Sequence, residues 1–235
     1  MASIEFFENK LVLVALTFIV FLGAKLLQRR TGLTLLNPIL VSVIVLISLL
    51  TALGIDYETY HAGGDYIELW LKPAVVALGV PLYRQLEQIK KQILPLLAAE
   101  LAGCVAGIVS VVLVARLFGA SQEVVLSLAP KAVTTPIAME ISSAMGGIPS
   151  LTAAVVVCTG IFGGMAGFRM VKMSRIKSPI AGGLSIGTAS HAVGTAAAME
   201  QGERYGAFSS LGLTLNGLLT ALLSPLILSL LGYAV

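Results

Sequence analysis

Charged residues are scarce in this chain. Only 11% of its 235 residues are Asp, Glu, Lys or Arg, whereas 57% are hydrophobic and the mean hydropathy is +0.96. An ordinary soluble domain carries about 25% charged residues. The composition therefore excludes a soluble globular protein and predicts an integral membrane protein. The net charge of +3 is too small to imply a nucleic-acid partner.

Cysteine and histidine are equally rare, with two residues of each. Cys104 and Cys158 lie within long apolar runs, so we expect neither a disulfide framework nor a metal site. No HExxH, CxxC or Walker pattern occurs in the sequence. We therefore expect neither an enzyme nor a bound cofactor. The first residues also lack the basic segment of a signal peptide, so the first apolar run is expected to remain in the membrane.

Apolar runs long enough to cross a membrane are abundant. A helix needs about 20 apolar residues to span about 30 Å of hydrocarbon. Two runs, about 121–145 and 179–200, are interrupted midway by proline, glycine or hydroxyl residues, which disfavour a continuous helix. The sequence predicts an all-α polytopic membrane protein of about six transmembrane helices and two re-entrant hairpins or broken helices that meet near the midplane. The six continuous runs lie at about 10–28, 35–54, 69–84, 93–117, 148–169 and 206–233.

The two interrupted segments repeat nearly the same letters. KAVTTPIAME occupies 131–140 and HAVGTAAAME occupies 191–200, with six identities in ten positions. Paired interrupted segments in corresponding positions point to the binding site of a transporter. We expect the two copies to approach the midplane from opposite faces as an inverted pair. The alternative keeps the same site but makes both segments broken helices that cross the membrane.

The distribution of Lys and Arg favours re-entrant hairpins. If the six continuous runs cross and the interrupted segments return to the side they left, Lys10 and Arg116 alone face outside, with an acidic loop at 56–68. The positive-inside rule agrees with this arrangement, which places both termini outside. The basic residues then predicted to face the cytoplasm are Arg29, Arg30, Arg84, Lys90, Lys91, Arg169, Lys172, Arg175, Lys177 and Arg204.

A lysine opens the first copy of the repeat. An ammonium near the bilayer centre costs about 2.5–3.5 kcal/mol on insertion scales, so it needs a partner or a polar cavity. We expect Lys131 to attract a carboxylate, while Thr134, Thr135 and the free amides of the following helix donate hydrogen bonds. The alternative is an ion pair between Lys131 and Glu140 or Glu100.

A histidine opens the second copy. Because histidine titrates near neutral pH, His191 is a candidate for proton coupling, and the alternative is a neutral donor to a hairpin carbonyl. Glu100 lies inside an apolar run, where it must be paired or protonated, and is the second proton-coupling candidate. The hydroxyls of the second segment suit a carboxylate, although such groups also bond to their own helix. The predicted substrate site comprises Lys131, Thr134, Thr135, Thr188, Ser190, His191, Gly194 and Thr195.

Prolines and one asparagine mark further irregular positions. Asn37, Pro38, Pro73 and Pro81 are expected either to expose backbone carbonyls to the site or to form simple packing kinks. The glycines from Gly160 to Gly167 predict close helix packing. We expect residues 1–92 to form scaffold helices, with assembly as a homodimer, and residues 93–235 to form the transport core. The residues predicted to break helices or gate the site are Asn37, Pro38, Pro73, Pro81, Pro130 and Pro136.

Stretches along nearly the whole chain resemble a known family. They are LLNPIL (35–40), KPAVVALGVPLYRQL (72–86), PKAVTTPIAMEIS (130–142), GGIPS (146–150), GTASHAVGTA (187–196) and GAFSSLGL (206–213). In this order they resemble the LrgB/CidB family, to which a plant plastid glycolate/glycerate translocator is related. Position 132 departs from the family, with alanine where serine is common. The motif positions carried over are Lys131, Thr134, Thr135, Pro136, His191, Gly194 and Thr195.

The resemblance implies a polytopic protein of the bacterial cytoplasmic (inner) membrane that works with a smaller LrgA/CidA-type membrane protein. It implies two functions: holin- or antiholin-like control of murein hydrolase export and cell lysis, and transport of small carboxylates such as pyruvate, glycolate or glycerate. A buried lysine within inverted, helix-breaking repeats suits a carrier better than a membrane lesion. The residues therefore favour a proton-coupled carboxylate transporter. The alternatives are the holin-like regulator and a non-transporting subunit that regulates or scaffolds the small partner.

Overall fold

The structure, a computed structural model, describes residues 9–33, 36–70, 73, 76, 77 and 79–234. The contact pattern divides the chain into two compact units, Met1–Ala77 and Leu78–Val235. In the described part of the first unit the bounded helices are α1 (Lys10–Thr31), α2 (Pro38–Leu53) and α3 (Tyr57–Glu68). In the second unit they are α4 (Gly79–Arg84), α5 (Leu86–Lys91), α6 (Ile93–Leu117), α7 (Gln122–Leu128), α8 (Thr135–Ala144), α9 (Pro149–Met173), α10 (Pro179–Gln201) and α11 (Glu203–Leu230).

Asparagine caps open the first two helices. The side-chain oxygen of Asn9 accepts a hydrogen bond from the Leu11 N–H at 3.0 Å, and that of Asn37 accepts one from the Ile39 N–H at 2.9 Å. Pro38 is the first residue of α2, where its missing N–H leaves no helical bond unmade. Asn37 and Pro38 therefore begin a helix instead of interrupting one, which corrects the sequence-based expectation.

Helix α3 is short and packs against α1. The hydroxyls of Thr17 in α1 and Tyr60 in α3 lie 2.9 Å apart. Asp56 caps the start of α3 by accepting the N–H of Thr59 at 2.7 Å, and hydrogen bonding by Thr59 lowers the pKa of the Asp56 carboxyl. These polar contacts fix an acidic helix against the first long apolar helix.

Within the part of the chain that the structure describes, four helices are long and apolar enough to cross a membrane. They are α1, α6, α9 and α11, and they coincide with four of the six predicted apolar runs, as expected for a multi-pass helical protein. The predicted run at 35–54 becomes α2, which has 16 residues and falls short of the usual crossing length. The predicted run at 69–84 lies partly outside the described residues; within it Pro73 is helical, and Pro81 belongs to α4. The arrangement of six crossings and two re-entrant hairpins stays a prediction.

The long helices leave much apolar surface uncovered by protein. Only 11% of the most apolar stretch of α1 is buried, and Leu11, Ile19 and Leu26 are each more than half exposed. By contrast, half of the corresponding stretch of α11 is buried. Exposed apolar surface of this kind suits contact with lipid tails, so α1 has the surface of a lipid-facing helix and α11 that of an interior one.

Glycines bring the backbones of the second unit into close contact. A Cβ added at Gly212 in α11 would lie 2.7 Å from the carbonyl oxygen of Leu184 in α10. On the other side of α10, a Cβ at Gly167 in α9 would lie 2.5 Å from the Ile186 side chain. The prediction that Gly160–Gly167 mediates close helix packing is therefore confirmed.

Both predicted interruptions are present, in different forms. In the first, turns at 129–134 separate α7 from α8; Pro130 is buried among them, and Pro136 is the exposed second residue of α8. In the second, α10 continues from Pro179 to Gln201, but His191 has non-helical backbone angles of φ 43° and ψ −143°. The second interruption is thus a single residue, His191, and Gly187 serves helix packing instead.

Helices α4 and α5 pack within the second unit. Arg84 donates a hydrogen bond to the Glu203 carboxylate at 3.1 Å, and Arg204 donates one to the Gln88 side chain at 2.6 Å. Residues 79–91 therefore contact the segment expected to form the transport core. The predicted division of roles at residues 92 and 93 stays a prediction.

Replacing Gly187 with alanine is expected to destabilise the protein by about 1–3 kcal/mol, the usual cost of overpacking. The added methyl group would overlap the backbone carbonyl of Ser209, and neither helix backbone can turn aside as a side chain can. Thermal unfolding of the purified protein, followed by circular dichroism, measures the effect. Gly23→Ala is the matched control, because nothing lies within 4 Å of its added methyl. Equal unfolding temperatures for the two variants would contradict the close approach of α10 and α11.

Candidate functional site

A cavity of about 270 Å³ lies within the second unit. Its walls come from α6, α10, α11 and the turns between α7 and α8. Many lining residues are alanine or glycine, so the helix backbones lie close to the cavity. The volume is just below the range of about 300–1,000 Å³ typical for drug-sized ligands, so the cavity has room for a small organic molecule. Its polar lining side chains are Lys131, Ser185, Thr188, Asn216 and Thr220.

Lys131 brings a positive charge to this cavity. The side chain is half-buried and lines the wall. Among the described residues, no carboxylate lies within the 4.0 Å of its ammonium that would define an ion pair. The alternative of an ion pair with Glu100 or Glu140 is therefore wrong: Glu100 bonds to Thr188, and Glu140 is exposed. Lys131 thus lines the cavity, and its ammonium has no protein counter-ion in the described part of the chain.

Thr134 and Thr135 stand at the start of α8. Thr134 is the residue before the helix, and its side chain makes no capping hydrogen bond. Both threonines are half-buried, but neither is a lining residue of the cavity. The structure thus places these two predicted site residues one short turn beyond the lysine, off the cavity wall.

Thr188 connects the cavity to a buried carboxyl group. Its hydroxyl oxygen lies 2.8 and 2.9 Å from the two oxygens of Glu100, which is fully buried, and 2.7 Å from the carbonyl oxygen of Leu184. A hydroxyl has a single proton to donate. When the hydroxyl donates to Leu184, Glu100 must carry a proton and donate in turn; when Glu100 is ionised, the hydroxyl donates to it. The direction of the Thr188 hydrogen bond therefore depends on the protonation of Glu100.

Asn216, in the middle of α11, was not among the predicted site residues. Its side-chain amide donates to the carbonyl oxygen of Thr188 at 2.9 Å and to that of Ala132 at 3.3 Å. The side-chain oxygen of Asn216 accepts a hydrogen bond from the Thr220 hydroxyl at 3.4 Å. The same hydroxyl also lies 3.4 Å from the Cys104 sulfur. One buried side chain thus contacts both interrupted segments and, through Thr220, helix α6.

The sequence did carry a signal for this residue. Asn216 is the single asparagine of its apolar run, and Thr220 and Ser224 follow it at intervals of four residues. Residues four apart share one face of a helix, and polar side chains in membrane helices bond across to neighbouring helices. The pattern therefore predicts a polar stripe on α11, and the structure buries all three side chains.

His191 lies away from the cavity, against α9. Its ring nitrogen Nε2 is 2.8 Å from the carbonyl oxygen of Val156. Since a carbonyl oxygen only accepts hydrogen bonds, Nε2 donates. A Cβ at Gly160 would lie 2.5 Å from the ring, so glycine there makes the space that the imidazole fills. This geometry fits the expectation of a histidine that satisfies a backbone carbonyl.

The remaining predicted residues of the second copy also contact helices instead of lining the cavity. The Thr195 hydroxyl lies 2.9 Å from both the carbonyl oxygen of His191 and the hydroxyl of Ser209. Ser190 is buried against Gly163, and a Cβ at Gly194 would lie 2.5 Å from the Ser190 side chain. Of the eight predicted substrate residues, the structure therefore brings Lys131 and Thr188 to the cavity. In the described residues, no cluster of three His, Cys, Asp or Glu side chains could hold a metal ion.

Comparisons with known proteins match the chain along most of its length. A sequence model of the LrgB-like family matches residues 17–230. The protein YxaC of Bacillus subtilis (strain 168) is 37% identical over 217 residues, which cover 92% of this chain and 94% of that protein. Holin-like protein CidB of Staphylococcus aureus (strain MW2) is 35% identical, with coverage of 94% and 97%. Antiholin-like protein LrgB of Bacillus mycoides (strain KBAB4) is 35% identical, with coverage of 90% and 92%. No solved structure matches the chain.

Replacing His191 with alanine is expected to destabilise the protein by about 1–3 kcal/mol, because a buried hydrogen bond and the packing against Gly160 are lost. His191→Gly is expected to recover part of that loss, since glycine adopts a positive φ without strain. His61→Ala is the control, because His61 is exposed and such changes usually stay within about 0.5 kcal/mol. Thermal unfolding measures all three variants. A fully stable His191→Ala protein would show that the contact with Val156 contributes nothing.

Proposed function

The chain belongs to the LrgB-like family, and we propose that it carries small carboxylates across the membrane through the cavity beside Lys131. One observation supports this proposal above the others. Lys131 lines a cavity of about 270 Å³, and no carboxylate of the described residues pairs with its ammonium. A charge left without a counter-ion in a membrane protein calls for a ligand of opposite sign.

The cavity wall offers neutral hydrogen-bond groups beside the charge. The hydroxyls of Ser185, Thr188 and Thr220 and the amide of Asn216 line the same space as Lys131. A two- or three-carbon carboxylate such as pyruvate, glycolate or glycerate would place its charge on the lysine and its oxo or hydroxyl oxygen on these groups. The cavity has room for a molecule of this size.

The names of the relatives favour a second function more directly. The Staphylococcus protein is named holin-like and the Bacillus mycoides protein antiholin-like, and both align with nearly all of this chain. On this proposal the chain regulates murein hydrolase export and lysis. Replacement of Lys131 with alanine at unchanged expression discriminates the two, because a purely regulatory subunit would keep its lysis phenotype.

Either function places the chain in the bacterial cytoplasmic membrane beside a smaller LrgA/CidA-type protein. We propose the orientation in which the basic loops face the cytoplasm, with assembly as a homodimer and without enzymatic activity. The positive-inside rule supports the orientation, and the glycine-rich helix faces support the homodimer.

Uptake of labelled pyruvate, glycolate and glycerate into proteoliposomes tests the carrier, with the chain alone and with its small partner. Lys131→Ala is expected to lower uptake by about 10- to 100-fold, because a hydrogen bond to a charged group contributes about 1.5–3 kcal/mol. Lys172→Ala, at an exposed lysine near the end of α9, should leave uptake unchanged. No saturable uptake by folded wild-type protein, even under a pH gradient, would count against the carrier and for the regulator.

Glu100 is the better placed of the two proton-coupling candidates. It bonds to the hydroxyl of Thr188, which lines the cavity, whereas the ring of His191 is held by the backbone of α9 outside the lining. A change in Glu100 protonation reverses the Thr188 hydrogen bond and so alters the cavity wall. We propose that Glu100 exchanges the coupled proton.

Glu100→Gln is expected to abolish accumulation driven by a gradient that is acid outside, while exchange of labelled for unlabelled substrate continues. Glutamine keeps the shape and can still bond to Thr188, but it cannot release a proton. Glu140→Gln is the matched control at an exposed carboxyl group and should retain the gradient response. Gradient-driven accumulation that persists in Glu100→Gln would assign the coupling elsewhere.

A further inference from the structure

We infer that Asn216 is a bridge between the two interrupted segments and that a carboxylate entering the cavity breaks one half of it. The bridge itself is independent of transport. The breaking of one half rests on the proposed function, because it requires a carboxylate at Lys131.

The bridge consists of the two N–H groups of one amide. One donates to Thr188, three residues before the interruption at His191, and the other donates to Ala132 in the turns between α7 and α8. Both acceptors are backbone carbonyls, which only accept, so the amide nitrogen must face them. Asn216 is almost fully buried, and solvent cannot replace either bond at low cost.

The interruptions explain why these carbonyls need a donor. In a regular helix, the carbonyl of Thr188 would accept from the N–H of residue 192. The non-helical backbone at His191 turns that N–H away, and the turn at Ala132 has no helical partner either. In a membrane interior, an unsatisfied carbonyl is costly. Asn216 therefore stabilises both interrupted segments at once.

The two halves of the bridge are unequal. The bond to Thr188 is 2.9 Å long and the bond to Ala132 is 3.3 Å, at the long end of the range for hydrogen bonds. Ala132 also follows Lys131 directly. Both residues line the cavity, as do Thr188 and Asn216. A carboxylate drawn to Lys131 therefore arrives next to the weaker bond.

A carboxylate oxygen is a stronger acceptor than a backbone carbonyl, because its hydrogen bonds are charge-assisted. It can take the N–H that now faces Ala132, and Asn216 then becomes a direct ligand of the substrate. The bond to Thr188 remains, so the second segment stays attached to α11 while the first is released. Occupation of the cavity thus acts on one interrupted segment in particular.

Cys104 reports on this opening without any added probe residue. It lines the cavity, is 3% exposed, and bonds to Thr220 within the same network. Cys158 is exposed and can be replaced with serine, which leaves Cys104 as the single thiol. The rate at which N-ethylmaleimide alkylates Cys104 in the purified full-length Cys158→Ser protein then measures access to the cavity.

Asn216→Leu removes both bonds at nearly constant side-chain shape. It is expected to raise the alkylation rate about tenfold, which corresponds to about 1.4 kcal/mol. Thr214→Val on the same helix, whose hydroxyl bonds only to Ser210 in its own helix, should leave the rate unchanged. Pyruvate, glycolate or glycerate should raise the rate in the parent protein and have no further effect in Asn216→Leu.

An unchanged rate in folded Asn216→Leu protein would overturn the bridge. If that variant does not fold, Asn216→Asp, which keeps the shape but places a negative oxygen against the two carbonyls, provides the same test. A faster rate in the variant, with no response of the parent protein to any of the three carboxylates, would uphold the bridge and overturn its release by substrate. Alkylation of Cys104 needs no transport. If carboxylates change the alkylation rate but no uptake occurs in liposomes, the carrier proposal is rejected and the bridge is retained.

Discussion

The site depends on the need to satisfy backbone carbonyls where water is excluded. Two segments of the second unit are interrupted, and each interruption frees carbonyl groups from their helical partners. The amide of Asn216 provides one N–H to each segment. Irregular backbone at membrane depth is tolerated only when protein or a polar cavity satisfies it. This one pair of hydrogen bonds attaches both segments, which carry Lys131 and Thr188 on the cavity wall, to α11.

Glycine makes that pairing possible by bringing helix backbones together. Lipid tails supply no hydrophobic force between helices, so small residues and interhelical hydrogen bonds hold a membrane bundle together. Helix α10 presents glycines to α11 and receives glycines from α9. The imidazole of His191 and the hydroxyl of Ser190 occupy the space that Gly160 and Gly163 leave open. Close packing and buried polar bonds therefore occur at the same helix faces.

The sequence predicted the parts of this structure that depend on local pattern. Hydropathy located the four long apolar helices, and proline and repeated letters located the two interruptions. The cost of a buried charge pointed to Lys131. The role of Asn216 could not be predicted in the same way, because its acceptors are backbone atoms 84 and 28 residues away. Identical residues at corresponding positions of the repeat also differ in environment. Thr135 is half-buried at the start of α8, whereas Thr195 is fully buried against Ser209.

The contact of α10 with α11 determines how the second unit can deform. Because their backbones meet at Gly187 and Gly212, the first half of α10 packs against α11 with no side chain between the two helices at these points. The joints that remain are His191 and the turns at 129–134, each followed by a helical arm of ten residues, which is about 15 Å long. Motion at such joints is angular. A small rotation at either hinge therefore displaces the far end of the arm more than any other part of it.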